Sequence, residues 1–248
     1  MNKKILNILM NKKQNNNIYN TELNQNNTQL NENNITIRYI FSRFNEDISW
    51  FSNDTEIMNN AIIYNKGKPL NINNEIILED DVGMDNLPPL KFIIDNYDNL
   101  PDICVFSQAR IDDHYVYGKL GTLETLKYLK DDAIVYGESP YVEINDVAWS
   151  NDWNLIIQGH DNPSLYKDNI VIKFIDWFNI NIDKKSTCVK RFHPCGIYSV
   201  SKHKILSRNK EYYINLFNQV NRYPWNCIEN GFMERSWYHI FNPDFIQN

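Results

Sequence analysis

The chain has 248 residues, 42% hydrophobic, 13% aromatic and 23% charged, enough apolar material for one large domain with a sizeable core. Its formal charge of −6, with 25 basic residues scattered among 31 acids, argues against nucleic-acid binding, which needs clustered Lys and Arg. The longest apolar runs, Ile5–Met10 (broken by Asn7) and Ile76–Leu78, fall far short of the ~20 residues of a membrane span and lack a small-residue cleavage site, so neither a membrane protein nor a secretory signal is expected.

Residues 1–34 are dominated by the tract NKKQNNNIYNTELNQNNTQLNENN. Asn and Gln runs cannot bury enough surface to offset the entropy of ordering, which predicts a disordered or weakly helical extension. An α/β domain is expected over 35–248. ITIRYIF (35–41) reads as a buried strand. After a break at 42–47, ISWF has helical spacing, with Ser42 or Asn45 as cap and Glu46 and Asp47 in the first turn, where acids suit the helix dipole. A second strand is predicted at Ala61–Tyr64, ending at the turn Asn65-Lys66-Gly67. Apolar residues at 90, 93, 94 and 97 predict a helix over Leu90–Tyr97, with Pro88 and Pro89 at its N-terminal edge. ICVF (103–106) then reads as a third strand. Such alternation, with short and continuously apolar later strands, predicts an α/β sheet covered on both faces.

Thr122–Leu129 is expected to be helical with Thr122 as cap. Short strands are expected at Tyr141–Ile144 and Ile170–Ile172, although Val171–Phe178 could equally begin a helix. Gly196–Val200 reads as a strand, Ser201 as the cap of an amphipathic helix over Ile205–Val220, and Ile228–Phe241 as a last helix with Met233, Trp237 and Ile240 on one face.

Cys104, Cys188, Cys195 and Cys227 show no C-x-x-C spacing, so neither a disulfide framework nor a zinc knuckle is expected, and a reduced cytosolic setting is the economical reading. The signatures of the hydrolase elbow, the P-loop and the dinucleotide fold are all missing, and no two of the five histidines have the spacing of a helical zinc site. Acids occur in pairs at Asp80-Asp81, Asp112-Asp113 and Asp131-Asp132. Carboxylates just past a strand can hold Mg²⁺ or Mn²⁺ through oxygen, and ligands of open α/β sheets bind beyond the carboxyl ends of strands. That favours Asp112-Asp113-His114, a few residues after ICVF, against the alternative of a polar surface loop. Glu234 and Arg235 sit among apolar residues of the last helix. Unpaired burial is costly, so they read either as a general base with an orienting guanidinium or as an ion pair anchoring the helix.

The blocks RFNEDISWF (43–51), IYNKG (63–67), IIDNYDNLPD (93–102) and VFSQ (105–108) resemble the diagnostic stretches of an uncharacterised domain family of fungi, bacteria and giant DNA viruses. Asp113-His114, GIYSVSKHKILSR (196–208) and MERSWYHIF (233–241) extend the resemblance over roughly residues 36–241. With the Asn and Ile bias it points to a giant-virus source, and so to host cytoplasm or virion. The resemblance implies a single Rossmann-like three-layer domain similar to the GT-A glycosyltransferase fold. It further implies metal-dependent transfer, with Mn²⁺ or Mg²⁺, of a sugar from a nucleotide-sugar donor to a hydroxyl of a glycan or small-molecule acceptor. On that analogy Arg43, Asn45, Glu46, Asp47, Lys66 and Gln108 contact the nucleotide. Asp112, Asp113 and His114 hold the metal, and Glu234, beside Arg235, is the base. The sequence departs from the family where Asn-Val-Gly-Arg-Glu becomes Asp81-Val82-Gly83-Met84-Asp85 and His-Thr-Tyr becomes Leu87-Pro88-Pro89. A catalytically silent binding or virion-associated protein and a metal-dependent hydrolase are the alternatives.

Overall fold

The structure, a computed structural model, describes residues 35–78, 83–112, 122–143, 174–182, 189, 191–193, 196–221 and 228–245. In chain order these form β1 (Ile37–Arg43), α1 (Ser49–Ser52), α2 (Thr55–Asn60), β2 (Ala61–Asn65), β3 (Glu75–Ile77), α3 (Leu87–Asp95) and β4 (Ile103–Gln108). There follow α4 (Thr122–Tyr136), β5 (Val142–Glu143), α5 (Phe174–Asn181), β6 (Arg191–Phe192), β7 (Tyr198–Ser201), α6 (Lys202–Ile205), α7 (Lys210–Val220) and α8 (Ile228–Phe241). Five strands make one sheet in the order β3-β2-β1-β4-β7. All its pairs are parallel except β4 with β7. The chain steps outward from β1 to β3 and then returns to lay β4 on the other side of β1, so the strand order switches between β1 and β4.

Side chains alternate across a strand, and both faces of β1 are buried. Tyr39 and Phe41 pack with Phe51, Ile57, Leu126 and Leu129 from α1, α2 and α4. Ile40 packs on the other face, in a larger cluster holding Leu90 and Phe92 of α3, Tyr213 of α7 and Trp237 of α8. The sheet therefore lies between two helix layers, as the strand–helix alternation predicts. Cys104 is wholly buried in the second cluster, where desolvation pushes its thiol pKa far up and leaves it a packing group. No helix among the described residues is long and apolar enough to cross a membrane.

Boundaries differ from expectation for identifiable reasons. Helix α3 starts at Leu87, taking Pro88 and Pro89 into its first turn, where amides have no intrahelical acceptor and proline costs nothing. The single helix expected over Ile205–Val220 is two, α6 and α7. The first ends at Ile205 with Leu206 as its C-cap, and Asn209 starts the second, its side chain accepting from the Tyr212 amide at 2.9 Å. Ser201 stands at the N-cap position of α6 without making a side-chain cap bond. Helix α2, capped by Asp54 through the Ile57 amide at 3.0 Å, and the short strands β3 and β6 lie outside the sequence expectations. Residues 1–34 and the expected strand at Ile170–Ile172 lie outside the described residues; Phe174–Asn181 is helical.

Candidate functional site

Strand β1 ends at Arg43 and β4 at Gln108, paired side by side with Ser42 opposite Gln108. The loop leaving β1 is locked against the turn leaving β2. The buried Arg43 guanidinium donates through Nε to the Glu46 carbonyl at 2.9 Å and through Nη1 to Asn65 Oδ1 at 2.8 Å and the Lys68 carbonyl at 3.0 Å. Asn45 Oδ1 accepts from the Lys68 amide at 2.9 Å. Gly67 lies so close that a Cβ there would sit 1.3 Å from the Phe44 carbonyl oxygen. Arg43 was expected to face a phosphate. Its donors are instead turned onto the chain, because a buried guanidinium must satisfy its donors locally, and it acts as a strut.

Glu46 folds back to accept from the Phe44 amide at 2.6 Å. Asp47 accepts from the amide and hydroxyl of Ser49 at 2.9 and 2.5 Å. The N-cap of α1 is Ile48, with no side-chain cap bond and no acid in the first turn, so neither Ser42 nor Asn45 is its cap, and Glu46 and Asp47 precede the helix. These bonds to Ser49 hold the Asp47 carboxyl below the usual carboxylate range. The fixed loop leaves the Phe44 ring 48% exposed. On the β4 side, the Ala109 amide donates to the Ser42 carbonyl at 2.8 Å. The Ala109 carbonyl accepts from Trp50 Nε1 at 2.7 Å. Trp50 is held edge-on to Phe51, with centroids 4.8 Å apart. Arg110 and Asp112 form an ion pair at 2.9 Å with both side chains more than half exposed, which contributes under about 1 kcal/mol. Between these segments lies an open-mouthed cavity of about 640 Å³, lined by Phe44, Glu46, Asp47, Trp50, Arg110, Asp112 and, at the start of α4, Thr122. Its size falls in the range of small-molecule sites.

Lys66, Gln108 and Glu234 are not among the cavity's lining residues; Lys66 and Gln108 lie on the opposite face of the sheet, near Met84 and Asp85. There Gly83 and Met84 both have left-handed backbone, φ 70° and 40°, a conformation that costs a non-glycine residue of order 1–3 kcal/mol. Lys66 Nζ donates to the Met84 carbonyl at 2.7 Å, and the Ser42 hydroxyl donates to the Asp85 carbonyl at 3.3 Å. Gly196 lies against both Asp85 and Gln108. The buried Asn86 donates to the Asn230 carbonyl and accepts from Trp237 Nε1, each at 2.9 Å. Glu234, half-buried, follows Asn230 by four residues and precedes Trp237 by three, so the three share the helix face turned to Asn86. Arg235 lies ~100° further round, with its guanidinium 5.0 Å above the Phe192 ring. The two neighbours therefore point apart along the helix.

A polar cluster at the opposite edge of the sheet escaped sequence reasoning. Glu138, bridged to Val200, approaches Lys204 Nζ at 3.1 Å and His193 Nε2 at 3.7 Å, and accepts from Asn242 at 2.8 Å. Burial pushes its carboxyl up, but His193, Lys204 and Asn242 outweigh burial and hold it below the usual value. Four separate chain segments meet there, so no local sequence signal existed.

Of the expected metal ligands, Asp112 stands on the cavity wall. Asp113 and His114 lie outside the described residues, as do Asp80 and Asp81. Among the described residues no group of three or more His, Cys, Asp or Glu is arranged to hold a metal ion.

Comparison with curated proteins and with solved structures finds no match. A family model, described as "Protein of unknown function (DUF3431)", matches residues 40–247, a span from the middle of β1 past the end of α8. The chain therefore belongs to the DUF3431 family.

Proposed function

We propose that this protein is a glycosyltransferase that moves a sugar from a nucleotide-sugar donor to the hydroxyl of a glycan or small-molecule acceptor, on a scaffold of the GT-A kind. The observation that carries the reading is the cavity beyond the carboxyl ends of β1 and β4, at the point where strand order switches and open α/β sheets bind their ligands. The loop of Asn45, Glu46 and Asp47 serves the donor or acceptor there, and Lys66 and Gln108 complete the polar edge behind it. Glu234, on α8 across the sheet from the cavity, serves in this reading as general base for an acceptor hydroxyl bound outside the cavity. Carboxylate oxygens of Asp112 and Asp113, with a ring nitrogen of His114, would hold a divalent cation, Mn²⁺ or Mg²⁺; when bound, it would supply positive charge for the diphosphate leaving group. In the same reading the protein comes from a giant virus and works in host cytoplasm or virion.

The test is release of nucleoside diphosphate from a panel of sugar nucleotides, with and without Mn²⁺, by the full chain and by Glu234→Ala. Acceptor-dependent release that falls by about 10²-fold or more in the variant is expected, the usual contribution of a general base. Failure of calorimetry to detect any nucleotide overturns the reading. A silent binding protein on the same scaffold is favoured by Met84, an exposed apolar residue in a strained conformation, where the family resemblance places arginine. In that case Glu234→Ala changes stability or partner binding and no chemistry. Turnover without acceptor marks a hydrolase.

A further inference from the structure

We infer that the cavity between the ends of β1 and β4 is a subsite for an uncharged, hydroxyl-bearing sugar ring, with Phe44 as its stacking platform, and that it rejects bare phosphate. The inference deepens the sugar-transfer reading and rests on it only for the claim that the bound ring takes part in a reaction.

The first ground is the hydrogen-bonding character of the wall. Among the described lining residues, Glu46, Asp47 and Asp112 present three carboxylates and Arg110 one guanidinium, which is paired with Asp112. The start of α4 at Thr122 adds only about half a positive charge, so the described part of the wall is net negative. An ionised carboxylate accepts at about four lone-pair sites and donates none. The bonds from Ser49 and from the Phe44 amide use part of that capacity. A wall rich in acceptors and poor in donors selects a ligand rich in O–H groups. Phosphate, an acceptor with negative charge, meets repulsion there. The cation that could have reversed this, Arg43, is buried behind the loop and bonded to it.

The second ground is independent of charge. Phe44 is about half exposed on a loop that Arg43, Asn45 and the close approach of Gly67 hold still. An exposed aromatic ring on a rigid loop at a cavity rim offers a flat apolar face at little entropic cost on binding. Trp50 directs its only polar hydrogen to the Ala109 carbonyl and leaves the cavity its apolar rings. Sugar rings carry apolar C–H faces and hydroxyl edges, and this cavity pairs aromatic faces with carboxylate edges.

The experiment is calorimetric titration of the full chain with maltotriose, mannotriose and chitotriose, with uridine and guanosine, with pyrophosphate, and with Mn²⁺ alone, followed by Phe44→Ala and Phe44→Trp. At least one saccharide is expected to bind, with affinity little changed by salt. Phe44→Ala should weaken it about tenfold or more, as loss of an aromatic anchor does, without lowering the unfolding midpoint. Phe44→Trp should bind within a few-fold of the parent, and pyrophosphate should not compete. The inference is overturned if no saccharide binds, if Phe44→Ala binds as well as the parent, if nucleosides alone depend on Phe44, or if pyrophosphate or Mn²⁺ displaces the saccharide. Phe44-dependent saccharide binding without any nucleotide turnover keeps this subsite and removes the transferase. Turnover that ignores Phe44→Ala does the reverse.

Discussion

Gly67 and Arg43 hold the same loop by opposite means, one by having no side chain and the other by filling the space with hydrogen bonds. A methyl group at position 67 would lie 1.3 Å from the Phe44 carbonyl oxygen and 2.5 Å from Asn45 Oδ1. Backbone cannot yield as a flexible side-chain end does, so Gly67→Ala must push the two loops apart. The expected loss is about 2–3 kcal/mol, the cost of overpacking, read as a lower urea midpoint with weaker ligand binding in the cavity. Unchanged stability and binding would show that the loops are not interlocked in solution. Little of this was legible beforehand. Sequence ends the first strand at Phe41 and puts Arg43 in the break after it, whereas β1 runs on to Arg43; nor could it show the partners Asn65 and Lys68, which come from the next strand's turn. Local features were misread in detail: Asp47, read as a first-turn acid, lies ahead of the Ile48 N-cap and bonds Ser49 two positions on, a short-range pattern acids commonly form.

Helix α8 spans the interval expected from its periodicity, Ile228–Phe241, because a long apolar stripe at helical spacing is the strongest sequence signal. What periodicity cannot reveal is the polar tie by which the helix finds its register. Asn86 and Trp237 stand 151 positions apart and share one buried hydrogen bond. Trp237→Phe keeps most of the packing and strands the Asn86 oxygen, which should cost about 1–3 kcal/mol. A double-mutant cycle with Asn86→Leu, followed by urea unfolding, should show coupling of about 1 kcal/mol; additive effects would mean that the bond carries nothing. Elements the sequence missed share a cause. Strand β3 has only three residues, with Ile76 and Ile77 both exposed, so it shows no alternation. The break between α6 and α7 covers 206–208, ahead of the Asn209 cap of α7, within a run that otherwise reads as continuous helix.

Across the whole molecule, the Glu138 cluster joins the end of α4 to α6, to His193 after β6 and to Asn242 beyond α8. Its carboxyl is held below the ordinary glutamate value in the folded chain, so the unfolded chain binds that proton more tightly. The cluster therefore stabilises the fold above the ordinary glutamate range, and this contribution is lost as pH falls through the lower folded value. Glu138→Gln should be less stable than the parent at neutral pH, with a gap that closes on acidification; urea midpoints across the acid range check this. A gap independent of pH would assign Glu138 a purely steric role. The layered α/β plan at this scale was readable from strand–helix alternation. The position of the cavity required strand order, which depends on long-range pairing. That pairing has a consequence for biosynthesis. Thr36 and Asp102, bonded at the mouth of the central pair, are 66 positions apart, so a nascent chain carries β1 with one side bare until β4 leaves the ribosome. During that interval the strand destined for the middle of the sheet is an open, sticky edge, and a product truncated before β4 would have one bank of the crevice and no other.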